Sequence, residues 1–355
     1  MLIAFPLFMV AIAIWVLEAY FGTLSGDLTR IGRLDENDFG WRLQQPAIPA
    51  GLLKSYPLNE ADVLVIGDSF SYGLVWQSRL IQAGFRPATL RWDVFKPCSI
   101  GPNMGEVIRR AGYNGRYLVI ENVEHGLQHR MEASCKLDEL PRTSAYTTSP
   151  PPASPPTGHA SLFSNREPLG GDWVIHALIN KMRLVHFDTA KGYMDFGQDG
   201  ARVVPVDGCA QFSSRLCNYG LFYSHDFDKD TFGASANVLA VNDSLRKAGL
   251  VPVWLAIPDK ATIYLGYGKL NAHPYVDVWR EFARHGELTA PDLGAAFTQA
   301  SRTMKDFYKP DDVHLSNNGY LYLGDLMTEL LVKQLKASPQ GNLVTPGTTP
   351  GKSHE

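Results

Sequence analysis

Ser69, His314 and the adjacent acids Asp311 and Asp312 are the residues whose types and surroundings could do nucleophilic chemistry. Ser69 lies in "VLVIGDSFSYG", residues 63–73, where four apolar β-formers run directly into Gly-Asp-Ser. The apolar run has no polar alternation, so it reads as a strand covered on both faces, as in a parallel α/β sheet. Ligands bind such sheets at the carboxyl ends of the strands, which is where Ser69 falls, beside the free N–H groups of a new helix. On its own the stretch serves equally as a helix cap by Asp68 or Ser69. The second piece is "FYKPDDVHLSNNGYLYLGDLMTELLVKQL", a turn with two aspartates and a histidine ahead of a long amphipathic helix. An acid two or three residues before a histidine can hold its tautomer and stabilise its cation, which makes a general base for a serine hydroxyl.

The elements that must position these groups alternate. Strand-like runs at "ADVLVIG", "ATLRWDVF", "RYLVIEN" and "VPVWLAIP" are separated by helical patterns such as "SYGLVWQSRLIQAG" and "GASANVLAVNDSLRKAG", the pattern of a doubly wound, three-layer parallel α/β sheet. Residues 131–230 break the rhythm as a long insertion, much longer than the usual α/β connection. It includes "TSAYTTSPPPASPPTGHASLFSN", too rich in Pro, Ser and Thr to pack. The expected organisation is an anchor at 1–24, a stalk at 25–60, a catalytic domain at 61–336 carrying the insertion, and a disordered tail at 337–355.

The chain has 355 residues, 45% of them apolar and 19% charged, with a net charge of -3 and no Lys/Arg block, so nothing advertises a nucleic-acid partner. Residues 1–24 carry no Lys or Arg and one acid, Glu18. That length and apolarity suggest an uncleaved transmembrane helix, since the basic n-region and small-residue cleavage site of a signal peptide are missing. Arg30, Arg33 and Arg42 follow the segment and by the positive-inside rule favour the cytoplasm for what comes next. Cys98, Cys135, Cys209 and Cys217 have no CxxC spacing, so no zinc ribbon is suggested. Cys209 and Cys217 bracket a short loop that a disulfide could close in an oxidising compartment. No P-loop or dinucleotide fingerprint occurs, and neither a cofactor nor a metal is expected.

With "GDS" after the first strand and D-x-x-H before the last helix, in that order, the sequence resembles the SGNH (GDSL-type) hydrolase superfamily. Within it the chain looks most like the AlgJ/AlgX-like polysaccharide O-acetyltransferase group, on the further stretches "YLVIENVEHGL", "IPDKATIY" and "DDVHLSNNG". The resemblance covers roughly residues 61–130 and 232–336 and leaves the insertion unexplained. It implies a flavodoxin-like three-layer fold with Ser69 as the acyl-accepting nucleophile and His314 as base. The general spacing D-x-x-H selects Asp311 as the acid and is slightly preferred. The group's D-x-H-W spacing selects Asp312, although Leu315 stands where that group often has Trp. For the oxyanion the resemblance implies the Ser69 N–H with Gly101 and a side-chain amide from Asn103 or Asn122; no G-x-N-D block is present. Tyr72, Trp76 and Tyr264 are candidate sugar-stacking faces, with Trp92 and Tyr223 as further aromatics.

The function these features imply is a membrane-anchored O-acetyltransferase of the bacterial inner membrane, its catalytic domain in the periplasm. It would pass acetyl through Ser69 to an exopolysaccharide hydroxyl, with a multi-span membrane acyltransferase as donor partner. The alternatives are a carbohydrate esterase of the same fold and a catalytically silent polysaccharide-binding or assembly protein.

Overall fold

The computed structural model describes residues 4–21, 25–92, 100–131, 139–140, 145–155, 170–187, 191–198, 200–228, 233, 236–266 and 276–336. The strands are β1 (Lys54–Ser55), β2 (Val63–Gly67), β3 (Pro87–Arg91), β4 (Tyr117–Val123), β5 (Tyr146–Thr147), β6 (Met194–Phe196), β7 (Ala201–Pro205), β8 (Tyr219–Tyr223) and β9 (Val251–Ile257). The helices are α1 (Ala4–Phe21), α2 (Asp27–Gly32), α3 (Glu36–Phe39), α4 (Ser69–Tyr72), α5 (Gln77–Gln82), α6 (Met104–Arg110), α7 (Leu127–Met131), α8 (Gly171–Val185), α9 (Ala236–Lys247), α10 (Lys260–Leu265), α11 (Val278–Ala283), α12 (Leu293–Ser301) and α13 (Asn317–Lys336).

The main sheet has the order β3-β2-β4-β9 and is parallel throughout. Val63, Leu64, Val65 and Ile66 have no exposed surface, as their unalternated apolarity requires. The chain steps from β2 to β3 through α5 and back across to β4 through α6, so right-handed crossovers put α5 and α6 on opposite faces. Helix α13 packs on α5 and α9 on α6, which completes a layer on each side and gives a three-layer α/β arrangement. Close packing requires glycine at two places: a Cβ on Gly324 would lie 2.4 Å from the Trp76 carbonyl, and one on Gly105 2.5 Å from that of Ser244. The order reverses between β2 and β4, which is the switch point where such sheets bind ligands.

The stretch 25–60 is not a stalk. Leu28, Leu34 and Phe39 are buried in a second core with Leu184, Phe196, Ala201, Val203 and Leu221, so this segment and the insertion complete each other. The insertion contributes the antiparallel sheet β6-β7-β8, the strand β5 paired with β1, and helix α8. Cys209 and Cys217 form a disulfide across their loop. Cys98, Cys135, most of the Pro/Ser/Thr stretch and the tail 337–355 lie outside the described residues.

The expected transmembrane span finds no support. Helix α1 has 18 described residues, Ala4–Phe21. Its last turns are committed to protein, with Phe21 buried against Val174 and Ala177 of α8. Among the described residues no helix is long and apolar enough to cross a membrane.

Candidate active site

Strand β2 delivers Ser69 as the first residue of α4. The cap is the preceding residue: Asp68 accepts a hydrogen bond from the Phe70 N–H through its side chain, at 3.0 Å. The other Asp68 oxygen accepts from the Val123 N–H at the end of β4, at 2.7 Å. Glu121, fully buried in β4, accepts from the Asp68 N–H at 3.1 Å and from the Ser71 hydroxyl at 2.5 Å. Burial, then the neighbouring Asp68, pushes the Glu121 carboxyl well above the usual carboxylate range. Glu121 thus ties β4 to the turn carrying Ser69. Gly67 is required there, because a Cβ would fall 2.3 Å from Glu121 Oε2. Ser69 itself is exposed.

The candidate base, His314, arrives on a loop closed by a bridge between Tyr308 and Leu315 and by the Ser316 N–H donating to the Phe307 carbonyl at 3.0 Å. From this loop His314 Nε2 lies 2.8 Å from Ser69 Oγ, and His314 Nδ1 lies 2.8 Å from Asp312 Oδ1. With the ring proton on Nδ1 donated to Asp312, Nε2 is free to accept from the serine hydroxyl. The Phe70 ring sits 5.0 Å from the imidazole. Burial alone would raise the Asp312 pKa, but the hydrogen bond and positive charge of His314 win and hold it well below the usual carboxylate range. Burial would lower His314; the hydrogen bond to Asp312 and its charge outweigh that and raise it above the ordinary histidine value.

Asp312, not the slightly preferred Asp311, is thus the partner of His314. Successive side chains in the turn point apart, and Asp311 faces the N-terminal segment, where the Ser25 hydroxyl lies 3.0 Å from Asp311 Oδ2 and 2.5 Å from Glu36 Oε1. Burial, then Glu36, raises the Asp311 carboxyl well above its usual range. The Asp311 carbonyl accepts from the Leu28 and Thr29 N–H groups of α2, at 3.0 and 3.3 Å. Gly26 permits this approach, since a Cβ there would come 2.2 Å from that carbonyl oxygen.

The remaining expectations fare differently. Trp76 is fully buried, its indole N–H donating to Ser71 Oγ at 3.2 Å, and Tyr264 packs 4.5 Å from the Phe212 ring while its hydroxyl accepts from the Tyr308 N–H. Trp76 is a core residue, as is Trp92, and Tyr264 is half-buried with its ring packed against the core. Tyr72 is half-buried under the Arg91 guanidinium, 4.1 Å from its ring centre. Of the proposed oxyanion donors, Asn122 is buried and its amide donates to the Val123 carbonyl at 2.6 Å, which turns it back onto its own strand. Gly101 and Asn103 shape the turn into α6, their carbonyls accepting from Met104 and Val107. The Ser69 N–H, at the first position of α4, is among the groups a helix leaves without an internal partner.

Sequence reasoning assigned no role to Lys260, quoted within "IPDKATIY". It is buried, and its ammonium donates to three carbonyls of the base-bearing turn, those of Lys309, Pro310 and Asp312, at 2.7, 2.8 and 3.1 Å. Burial lowers its pKa to about 8. A second histidine cluster was also missed: His125, just beyond β4, has Nδ1 2.6 Å from Asp259 and 3.7 Å from Asp226. This trio and Asp27, Asp312 and His314 each bring ligand-type atoms within 4.8 Å of one another. In both, an aspartate already receives the imidazole Nδ1, an arrangement that orients a ring proton.

No protein-family model, curated protein or solved structure matches the chain.

Proposed function

We propose that the chain is a serine-dependent acyl-transfer enzyme of SGNH type, attached to the bacterial inner membrane through its N-terminal helix, which moves acetyl groups onto an exopolysaccharide hydroxyl in the periplasm. The observation that carries this reading is the hydrogen-bonded series from Ser69 Oγ through His314 to Asp312 at the sheet's switch point. As Ser69 Oγ attacks the acetyl carbonyl, its proton passes to His314 Nε2, and the imidazolium is stabilised by the Asp312 carboxylate. Collapse of the tetrahedral adduct breaks the bond to the donor oxygen, which takes that proton and leaves acetyl on Ser69. An acceptor hydroxyl then gives its proton to His314, attacks the acyl-serine and restores the Ser69 hydroxyl. The Ser69 N–H supplies one donor for the oxyanion. The disulfide between Cys209 and Cys217 supports an oxidising compartment.

The exposure of Ser69 favours one second reading, a carbohydrate esterase in which water takes the acceptor's place. Donor supply separates the two: a periplasm lacks a ready pool of activated acetyl, so the transferase needs a multi-span membrane acyltransferase as partner. The test is to give the purified chain an activated acetyl ester with and without an oligosaccharide. Acetylated sugar is the expected product; free acetate with no dependence on acceptor supports the esterase. An alkyl sulfonyl fluoride should label Ser69 and fail to label the His314→Ala chain. No labelling of the wild-type chain would instead support a silent binding protein.

A further inference from the structure

Helix α8 lies within the insertion and has an apolar arc wider than the protein covers. Val174, Ala177 and Leu184 face inward and are buried. Ile175, Leu178, Ile179, Met182 and Val185 recur at helical spacing on an adjoining face that is turned to the outside, with Val185 79% exposed. Surface helices ordinarily place charged residues there. Contiguous apolar surface of this kind marks a contact site.

The neighbour of that face is α1. Gly171 stands against Ile14, the Gly170 N–H donates to Glu18 at 3.2 Å, the Phe21 and Trp173 rings meet at 5.7 Å, and Lys181 reaches the Tyr20 hydroxyl at 3.3 Å. These contacts occupy residues 14–21 and leave residues 4–13 projecting. The described projecting part, residues 4–13, spans about 15 Å. Residues 5–11 are exposed on every side of the helix and none is polar. A protein groove covers one side of a helix; only a surrounding apolar solvent covers all of them. Trp15, Glu18, Tyr20 and Lys181 then mark the level at which α1 leaves that solvent, with aromatic rings and charges in the places interfaces favour.

We propose that the projecting part of α1 and the outward face of α8 form one lipid-contacting platform, with α8 at the level where α1 emerges. The proposal rests on the membrane attachment inferred above and deepens it by adding a face of the insertion to the lipid contact.

The test uses the full chain with vesicles of phosphatidylcholine and phosphatidylglycerol carrying a diazirine phospholipid, reactive either near the headgroup or at the acyl terminus. After irradiation, labelled peptides are mapped by mass spectrometry. The expected result is headgroup-proximal labelling of α8 at Ile175, Ile179 and Met182, and acyl-terminal labelling near Phe5 and Phe8. Labels on α1 alone overturn the platform. A chain that neither floats with vesicles nor takes label refutes membrane attachment itself. Combining Ile179→Asp with Met182→Asp should reduce the vesicle-bound fraction by about tenfold or more, since two carboxylates replace buried apolar groups. Acetyl-ester turnover and helix content should stay unchanged. Unchanged binding overturns the proposal, as does a lipid-free dimer that these substitutions dissociate while α8 takes no label.

Discussion

His314 and His125 are each held by a buried aspartate through Nδ1, and they cannot do the same work. His314 has one buried carboxylate, Asp312, at hydrogen-bond distance and the more exposed Asp27 3.7 Å from Nδ1, and it presents Nε2 to a serine hydroxyl. His125 faces two buried carboxylates, Asp259 and Asp226, and these outweigh the burial that would lower its pKa, raising it to about 10. At neutral pH His125 is therefore a fixed cation inside an ion cluster, unable to accept a proton. A histidine and an acid make a base only when the acid's field is moderate and a donor hydroxyl meets the other nitrogen.

The sharpest way to break that contrast is at the hydroxyl. Ser69→Ala should reduce acetyl-ester turnover by about a million-fold or to background, as removal of a nucleophile does. The fold should survive, because Asp68 and not Ser69 caps α4. Residual turnover in a folded Ser69→Ala chain removes His314 from its role. Next, Asp312→Asn should lower turnover by about 10,000-fold through the wrong tautomer. Asp311→Asn should leave it within a few-fold; the reverse ranking would restore D-x-x-H as the working pair. Third, Lys260→Met leaves three carbonyls of the turn without their donor and should cost about 3–5 kcal/mol in urea unfolding. A cost within error of zero would show that the turn holds itself.

The pH profile sharpens the same comparison. The base must be neutral, so turnover rises as pH rises through the His314 pKa. That limb should lie above pH 6.5, since Asp312 stabilises the cation. A flat profile between pH 5 and 9 contradicts His314 as base. The smallest effect belongs to the other histidine: Asp226→Asn should bring the His125 titration down from about 10 by roughly one unit, read by NMR, with the His314 titration unmoved. A fall in both would mean that the clusters act as one.

The central sheet and the serine were legible because their signals are local. Four apolar residues and Gly-Asp-Ser suffice to place a strand end and a turn, and β2 is buried along its whole length as that run requires. The choice between Asp311 and Asp312 was not local. It depends on Ser25 and Glu36 claiming Asp311, and no spacing within the turn reports a partner 286 residues away. Trp76 and Tyr264 show another limit, since an aromatic residue is equally apt for a core or a sugar face until its indole or hydroxyl finds an internal partner. The stalk at 25–60 misled for the same reason as Asp311: its mixed composition conceals the apolar residues Leu28, Leu34 and Phe39 that the insertion buries.

The latch between α2 and the Asp311 carbonyl also orders events in time. During synthesis Leu28 and Thr29 leave the ribosome long before their acceptor, the Asp311 carbonyl, appears. Ser69 likewise waits 245 residues for His314. Contacts of such separation close late, after local helices and the β2–β4 pairing have formed. A nascent chain therefore carries Ser69 without its imidazole partner for 245 residues, so the proposed acyl transfer has to await the docking of the 307–316 loop onto the turn after β2.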